Sequence, residues 1–255
     1  MQGGISVAAV ICAAGSSKRM GGGKKEYLRL NQDSAGEKPV TVLGAAAAAF
    51  ASCPEINPIV IVLPGEAPAG LVEELRALDP HCGEATSGGA RILFVKGGPS
   101  RRASVYNALA FLRKHGPSHV LIHDGARPWI KRSLIEEVTS AAIRHGAAIP
   151  ALPMTETPKE LESPLASRGP AAGDNFIRRH LKRNTLCAAQ TPQGFRFPEI
   201  LAAHEKAAAR ETLDSVEYTD DAEIWGEFSG KVAVVPGDPE NRKITYPEDL
   251  AYVPK

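Results

Sequence analysis

The stretch AVICAAGSSKRMGGGKKEYLRL, residues 9–30, decides the fold prediction. A short apolar run ends at a glycine, and a polar, glycine-rich loop follows it. This order is typical of the first strand of an open α/β sheet, whose carboxyl end faces a ligand. The loop matches neither a Walker A sequence nor G-x-G-x-x-G. The loop nevertheless predicts an anion site, because it exposes glycine N–H groups and carries four cations, Lys18, Arg19, Lys24 and Lys25. A solvated basic loop is the alternative.

Short apolar segments alternate with helical segments along most of the chain. The apolar segments are mostly continuous, which favours strands covered on both faces of a parallel sheet. The pattern predicts an α/β fold, a three-layer sandwich with a mostly parallel, Rossmann-like sheet in one domain over residues 1–255. The predicted strands are SVAAVIC, PIVIVL, RILFV, HVLIH, GAAIPAL and KVAVVPG, and the predicted helices are TVLGAAAAAFA, GLVEELRAL, RRASVYNALAFLRKH, RSLIEEVTSAAIRHG, RFPEILAAHEKAAARE and TDDAEIWGEF.

Residues 154–189 interrupt this alternation. The region is polar, carries prolines at positions 158, 164 and 170, and has no helix–strand pattern of its own. Connections of this length are uncommon unless they are functional or reach a partner. We therefore expect an extended arm within the single domain.

Composition excludes several classes of protein. The net charge of +1 gives no broad attraction to nucleic acid or to an anionic membrane. No apolar run reaches transmembrane length, and no basic segment precedes the first one, which argues against a signal peptide. The four cysteines, Cys12, Cys53, Cys82 and Cys187, form no C-x-x-C pair, which argues against zinc and against a disulfide framework. We expect a cytoplasmic protein that binds neither nucleic acid nor membrane.

The segment GGPSRRASV, residues 97–105, joins a predicted strand to a predicted helix. If Ser100 is the N-cap, Arg101 and Arg102 lie in the first helical turn, where the helix dipole disfavours cations. A bound anion would remove this conflict. Two exposed arginines, tolerated at small cost, are the alternative.

The segment HDGARP closes another predicted strand. Asp124 ends the strand, and Arg127 and Pro128 place a cation and a rigid turn beside it. A carboxylate at this position can hold a magnesium–phosphate complex or a substrate hydroxyl, and it can also cap the following turn. The neighbouring cation favours a functional role.

Seven motifs together resemble those of the 2-C-methyl-D-erythritol 4-phosphate cytidylyltransferases, enzymes of non-mevalonate isoprenoid biosynthesis. The resemblance covers roughly residues 5–252, with the motifs in the family's order. They are AAGSSKRM…KKEYL, GGPSRRASV, HDGARP, TETPKE, KRNTLCAAQTPQGF, YTDDA and NRKITYPEDL.

The resemblance implies transfer of CMP from CTP to the phosphate of methylerythritol phosphate, with release of pyrophosphate and with Mg²⁺ held mainly through the CTP phosphates. It implies three catalytic cations: Arg19, Lys25 and Lys243. For CTP it implies Ala13, Ala14, Gly15, Gly97, Gly98, Ser104 and Asp124. The sequence departs from the family at Pro99, where the family often has an acidic residue. The resemblance therefore implies selectivity for CTP less strongly than it implies catalysis.

The resemblance also implies an acceptor site and a homodimer. The acceptor positions are Asp124, Arg127, Thr157, Arg183, Thr191 and Thr219. Carboxylate and hydroxyl groups suit a polyol, and arginines suit its phosphate. Thr219 and Asp220 are equally a fair helix N-cap with Glu223 behind them. In the family, the arm reaches a neighbouring subunit, so we expect a homodimer with composite sites.

Two alternatives stay open. A cytidylyltransferase for another polyol phosphate, such as ribitol 5-phosphate, would share the chemistry. A non-catalytic, dimeric nucleotide-binding protein would keep the nucleotide loops and lose the catalytic cations or the acceptor residues. A related sugar transferase would carry a D-x-D metal motif at a strand end, and the sequence has none at those strand ends.

Overall fold

A mixed sheet forms the centre of the protein. The computed structural model describes residues 4–15, 17, 20, 23–30, 40–65, 67–79, 91–164, 174–214 and 216–254. Within these residues the central sheet has eight strands, and a separate small sheet has two. In chain order the strands are β1 (Val7–Cys12), β2 (Ile56–Leu63), β3 (Ile92–Lys96), β4 (His119–Asp124), β5 (Ala147–Pro153), β6 (Lys159–Leu161), β7 (Ile177–His180), β8 (Cys187–Ala189), β9 (Gln193–Arg196) and β10 (Ala233–Pro236).

The order of the strands creates a topological switch point. The sheet runs β10-β5-β9-β4-β1-β2-β3, with β8 paired to β5 and with β6–β7 forming the small sheet. Strands β3, β2, β1 and β4 are parallel. The chain moves from β1 outward through β2 and β3, then returns to the other side of β1 as β4. Ligands of open α/β sheets bind at such a reversal, beyond the carboxyl ends of the strands.

Helices cover both faces of the sheet and give the three predicted layers. One face packs against α1, α2 and α4, and the other against α3, α5 and α6. This confirms the predicted α/β sandwich. The helices are α1 (Val42–Ala51), α2 (Ala69–Arg76), α3 (Arg101–Leu112), α4 (Arg132–His145), α5 (Phe197–Asp214) and α6 (Asp221–Phe228).

Strand β1 shows why its sequence is continuously apolar. Ala9 and Ile11 belong to the hydrophobic cluster on the α1 face, whereas Ala8 and Val10 belong to the cluster on the α3 face. Since successive side chains of a strand point to opposite faces, a strand covered on both sides has no polar position. Full burial of each large aliphatic side chain is worth about 1.5–3 kcal/mol.

Side-chain caps set the starts of α1 and α3. The Thr41 hydroxyl accepts from the N–H of Gly44 at 2.9 Å, which fixes the start of α1. The Ser100 hydroxyl accepts from the N–H of Ala103, which confirms the predicted cap of α3. A cap of this kind is worth about 1 kcal/mol.

The arm has more regular structure than its sequence indicates. The prediction that residues 154–189 lack a pattern of their own is wrong, because β6 pairs with β7 there and β8 joins the central sheet. Strands of three or four residues are too short to give a readable periodicity. Residues 165–173 of the arm lie outside the described residues.

One central strand was not predicted. β9 lies antiparallel between β4 and β5, in the segment that follows the arm. Its residues, QGFR, contain a glycine and two polar side chains. Gly194 is required because a Cβ atom there would lie 2.9 Å from the Ala142 Cβ of α4.

No helix in the described part of the chain is long and apolar enough to span a bilayer.

Candidate active site

The candidate active site lies where β1 and β4 end side by side. Cys12 and Asp124, the last residues of these strands, are register partners. The loops after β1, β3 and β4 and a segment after β10 surround a cavity of about 480 Å³, a size that suits a small-molecule ligand. Seven of the predicted site residues line it: Ala14, Gly15, Lys25, Gly98, Ser104, Asp124 and Lys243.

The loop after β1 starts as a continuation of the strand. The N–H of Ala13 donates to the carbonyl oxygen of Val62 at 2.9 Å, which places Ala13 behind the cavity wall. Lys24 Nζ donates to the carbonyl oxygens of Ala14 and Gly15. This lysine therefore holds the loop together, a role that its sequence position did not indicate.

Lys25 reaches the cavity from the same loop. Its side chain is buried, and its Nζ donates to the carbonyl oxygen of Ile244 at 2.7 Å. Ser17 and Glu26 line the cavity beside it, where the Ser17 hydroxyl donates to Glu26 at 3.0 Å and accepts from the Lys25 N–H at 3.4 Å. The ammonium group of Lys25 is thus held at the wall of the cavity by groups of the loop and of a distant segment.

The glycine turn after β3 forms a second wall. The N–H of Gly97 donates to the Leu63 carbonyl oxygen at 2.8 Å, and the N–H of Gly98 donates to the Ser104 hydroxyl at 3.0 Å. A Cβ atom on Gly97 would lie 2.4 Å from the Ala14 Cβ. Only glycine fits here, because the turn packs directly against the loop after β1.

Three cations surround the Asp124 carboxylate. Lys243 Nζ lies 2.9 Å from Oδ2, Arg127 Nε lies 3.4 Å from Oδ2, and Arg101 Nε lies 3.8 Å from Oδ1. Burial by itself would raise the pKa of Asp124, but Lys243, Arg101 and Arg127 outweigh it and hold this pKa far below its usual range. Asp124 is therefore ionised.

The anion predicted beside Arg101 and Arg102 is supplied by the protein itself. Arg101 Nη2 lies 2.7 Å from Oδ2 of Asp221 on α6, and Arg102 Nε lies 2.5 Å from Oε2 of Glu211 on α5. Carboxylates from the neighbouring helices thus neutralise the cations at the start of α3. The sequence pattern could not reveal partners more than 100 positions away.

Lys243 lies on a segment after β10 that is bonded to the rest of the site. Gln190 Nε2 donates to the carbonyl oxygens of Asp238 and Asn241, at 2.9 and 3.3 Å, and its Oε1 accepts from the Asp238 N–H at 3.1 Å. Further along, the N–H of Ile244 donates to the Ala126 carbonyl oxygen at 2.9 Å. These bonds on both sides of Lys243 fix where its side chain starts.

Thr191 and Arg127, predicted to contact the acceptor, lie behind Asp124. The Thr191 hydroxyl accepts from the N–H of Asp124 at 3.1 Å and lies 3.0 Å from Nδ1 of His123. Arg127 Nη1 donates to the carbonyl oxygen of Asn241 at 2.8 Å. In this structure both side chains support the strand end, and neither lines the cavity.

The remaining predicted residues do not line the cavity of this chain. Thr157 and Arg183 are exposed on the arm side, where Arg183 donates to the carbonyl oxygen of Thr155 at 2.7 Å. Thr219 donates to Glu223, and Asp220 caps α6, so the capping interpretation holds for this motif. Arg19 lies outside the described residues.

Three residues of the site were not predicted from the sequence: Gln190, Asn241 and Asp221. All three are buried polar residues that hold site residues in place. Gln190 and Asn241 fall within motifs that carry the resemblance, which is the one signal that pointed to them. In the sequence, Asp221 has the appearance of an ordinary acidic residue in the first turn of a predicted helix. Only its burial beside Arg101 distinguishes it from such a residue.

The side chains that the structure describes do not form a metal centre. No group of three or more His, Cys, Asp or Glu residues among them could hold a metal ion. Two carboxylates line the cavity, Glu26 and Asp124, and Asp124 is already surrounded by cations.

Comparison with known proteins gives one family. The family described as IspD, 2-C-methyl-D-erythritol 4-phosphate cytidylyltransferase, matches residues 7–254. A 2-C-methyl-D-erythritol 4-phosphate cytidylyltransferase of Bacillus mycoides is 34% identical over 242 residues, which cover 94% of this chain and 93% of the relative.

Other relatives are longer. A bifunctional enzyme IspD/IspF of a Bradyrhizobium species is 40% identical over 252 residues, and this chain spans about half of its length, 54%. Among solved structures, a 4-diphosphocytidyl-2C-methyl-D-erythritol synthase of Anaerococcus prevotii superposes with a TM-score of 0.73 at 26% identity, covering 97% of this chain and 93% of the other.

Proposed function

The chain belongs to the 2-C-methyl-D-erythritol 4-phosphate cytidylyltransferase family, and on this basis we propose that it transfers CMP from CTP to 2-C-methyl-D-erythritol 4-phosphate. The products are 4-diphosphocytidyl-2-C-methylerythritol and pyrophosphate. An oxygen of the acceptor phosphate attacks the α-phosphorus of CTP and forms the new P–O bond. The bond from the α-phosphorus to the bridging oxygen breaks, and its electron pair leaves with pyrophosphate.

The observation that carries the proposal is the convergence of Lys25 and Lys243 on one cavity. Both line it, although they are far apart in the sequence. Two phosphorylated reactants repel each other, and two unit charges 4 Å apart interact by about 4 kcal/mol at an effective dielectric of 20. Cations fixed beforehand at the cavity wall offset this repulsion and stabilise the charge that develops at the α-phosphorus. Arg19 completes the set in the proposal.

The glycine turn supports the orientation of the nucleotide. Gly98, Pro99 and Ser104 line the same cavity as the two lysines, so a nucleotide in it would place its base against the turn and its phosphates toward the cations. Proline has no N–H to donate and the Gly98 N–H already donates to the Ser104 hydroxyl, so recognition of the cytosine base would rest on that hydroxyl and on the carbonyl oxygen of Gly98.

Magnesium enters the proposal only with the nucleotide. In the proposal Mg²⁺ arrives bound to the phosphates of CTP, and among the described residues no group of three or more His, Cys, Asp or Glu side chains could hold the ion by itself. Its requirement is tested by chelation of divalent metal in the assay.

A homodimer completes the proposed acceptor site. Thr157 and Arg183 lie on the arm side, away from the cavity of their own chain, which supports their use by a second copy. The cytoplasm remains the expected location, supported by Cys12, Cys53 and Cys187, which are free thiols. Sedimentation of the active enzyme tests the dimer, and an active monomer would contradict it.

The deciding experiment is a matrix of substrates. Pyrophosphate release is measured with CTP, UTP and ATP, each with methylerythritol phosphate and with ribitol 5-phosphate. The proposal expects the highest kcat/KM for CTP with methylerythritol phosphate. Preference for ribitol 5-phosphate would favour the other polyol, and nucleotide binding without release would favour the non-catalytic protein.

A further inference from the structure

Arg101 connects the cavity to a buried carboxylate outside it. It is the first residue of α3, and its side chain lines the cavity. Its guanidinium divides between two carboxylates: Nη2 lies 2.7 Å from Oδ2 of Asp221, and Nε lies 3.8 Å from Oδ1 of Asp124. A planar guanidinium with two such partners has little freedom to turn.

Asp221 is a strong anchor for this arginine. It is the first residue of α6, and its side chain has no exposed surface. Burial by itself would raise the pKa of Asp221, but Arg101, followed by His204, outweighs it and lowers the pKa to about 2. His204 of α5 is equally buried, with Nε2 3.2 Å from the other carboxylate oxygen. Asp221 is therefore ionised, and its Oδ2 is held by Arg101.

The two oxygens of Asp124 face different cations. Oδ1 faces Arg101, whereas Oδ2 faces Lys243 at 2.9 Å and Arg127 at 3.4 Å. A cation fixed on the Oδ1 side sets the rotation of the carboxylate about its last bond. That rotation determines the position of Oδ2. The position of Oδ2 in turn determines the direction in which the Lys243 ammonium group is attracted.

The next residue provides a comparison within the same helical turn. Arg102 also pairs with a carboxylate on the covering helices, Glu211 of α5. It does not line the cavity and makes no ion pair with Asp124. Both arginines thus help α3 to pack against α5 and α6, but of the two only Arg101 also reaches the site.

We propose that Arg101 is a positioning residue, which Asp221 anchors and which orients Asp124 so that its second oxygen holds Lys243 in the cavity. In this arrangement the helical layer formed by α5 and α6 determines the placement of a cation in the site. The effect on turnover rests on the function proposed above, whereas the effect on geometry does not.

The kinetic test compares Arg101→Met and Asp221→Asn with the matched controls Arg102→Met and Glu211→Gln. At equal folded fraction, Arg101→Met is expected to lower kcat for pyrophosphate release on the order of 100-fold, with a smaller change in the KM for CTP. Asp221→Asn gives the same pattern more weakly. The two controls reduce stability and leave kcat near the wild-type value.

A double mutant separates positioning from a general loss of structure. When Lys243→Ala is already present, adding Arg101→Met should lower kcat by less than about threefold, since the residue that it positions is gone. Fully additive effects would overturn the proposal, as would an Arg101→Met loss no larger than that of Arg102→Met.

Crystal structures of the two arginine variants give a readout independent of activity. In Arg102→Met the distance from Lys243 Nζ to Asp124 Oδ2 should stay near 2.9 Å, and in Arg101→Met it should exceed the ion-pair limit of about 4 Å. An unchanged distance in Arg101→Met would overturn the inference. If wild-type protein releases no pyrophosphate, the proposed function fails, and these structures still decide the role of Arg101.

Discussion

Lys25 Nζ donates a hydrogen bond to the carbonyl oxygen of Ile244 at 2.7 Å, across 219 positions of sequence. The residue before Ile244, Lys243, reaches Asp124 at 2.9 Å. The two lysines therefore share one cavity because the Lys25 side chain is bonded to the backbone of the distant segment that carries Lys243. Any change that separates these segments displaces both cations.

Lys25→Ala should lower pyrophosphate release by on the order of 100-fold or more, as expected when one preorganised cation is lost. The free energy of unfolding should fall by about 1–3 kcal/mol as well, because the Ile244 carbonyl oxygen loses a charged donor. Steady-state kinetics and urea unfolding measure the two effects. Arg113→Ala, which removes an exposed arginine paired with Glu205 on the surface, is the control. A change in turnover below tenfold would contradict the role of Lys25.

Asp124→Asn should destabilise the protein by about 3–5 kcal/mol, because Lys243 and Arg127 would lose the anion that pairs them and Arg101 would keep only Asp221. Asparagine keeps the shape of the side chain, so the effect reports charge. Glu136→Gln breaks an exposed pair with Arg132 and should change stability by less than about 1 kcal/mol. Equal effects of the two substitutions in urea unfolding would show that the cation cluster does not depend on Asp124.

Gly97→Ala should reduce both stability and activity. Its Cβ would lie 2.4 Å from the Ala14 Cβ, so the glycine turn and the loop after β1 must move apart, at a cost of about 1–3 kcal/mol. Gly70→Ala in α2 is the matched control, since a Cβ there meets nothing within 4 Å. We expect that control to be neutral or to stabilise by about 0.4–1 kcal/mol. Thermal unfolding and pyrophosphate release are measured on both.

The stability of the protein should fall as the pH is lowered from about 6.5 to 4, because burial lowers the pKa of His123 to about 4. Between these values the unfolded chain binds a proton at His123 and the folded chain does not, so stability increases with pH there. The full contribution is on the order of 3 kcal/mol. The neutral ring fits its contacts, with Nδ1 beside the Thr191 hydroxyl and Nε2 beside the Arg127 carbonyl oxygen.

Urea unfolding at a series of pH values measures this dependence. His123→Gln should flatten the slope between pH 6.5 and 4, whereas His115→Gln, at an exposed position, should keep it. His119, whose pKa burial also lowers, leaves a residual slope in both variants. Equal slopes in the two variants would refute the assignment to His123.

Gln190→Glu should loosen the segment that carries Lys243. Glutamate keeps the acceptor for the Asp238 N–H but loses the Nε2 donor to the carbonyl oxygens of Asp238 and Asn241. The partly buried carbonyl oxygen of Asp238 would lose its donor, at a cost of about 1–3 kcal/mol, and the carbonyl oxygen of Asn241 would keep only the bond from Arg127. Hydrogen exchange of residues 237–244 should become faster and kcat should fall. Unchanged exchange there would show that Gln190 does not anchor the segment.

Much of the fold could be predicted because its pattern is local. The continuous apolar runs of β1, β2 and β4 follow from burial on both faces, and the cap of α3 follows from one serine. Strand β9 could not be predicted, because its four residues have no apolar pattern and its place between β4 and β5 depends on pairing. The short strands of the arm could not be predicted for the same reason.

By itself, the sequence determined the α/β class, the three loops at strand ends and the types of side chain that are proposed to hold phosphate groups. These are properties of neighbouring residues, set by side-chain alternation and by glycine and cation content. Only the tertiary structure decided that Arg101 is neutralised by Asp221, that Lys24 holds the loop while Lys25 lines the cavity, and that Thr191 lies behind Asp124. Each of these depends on the distance between segments far apart in the chain, which the order of strands and the packing of helices fix.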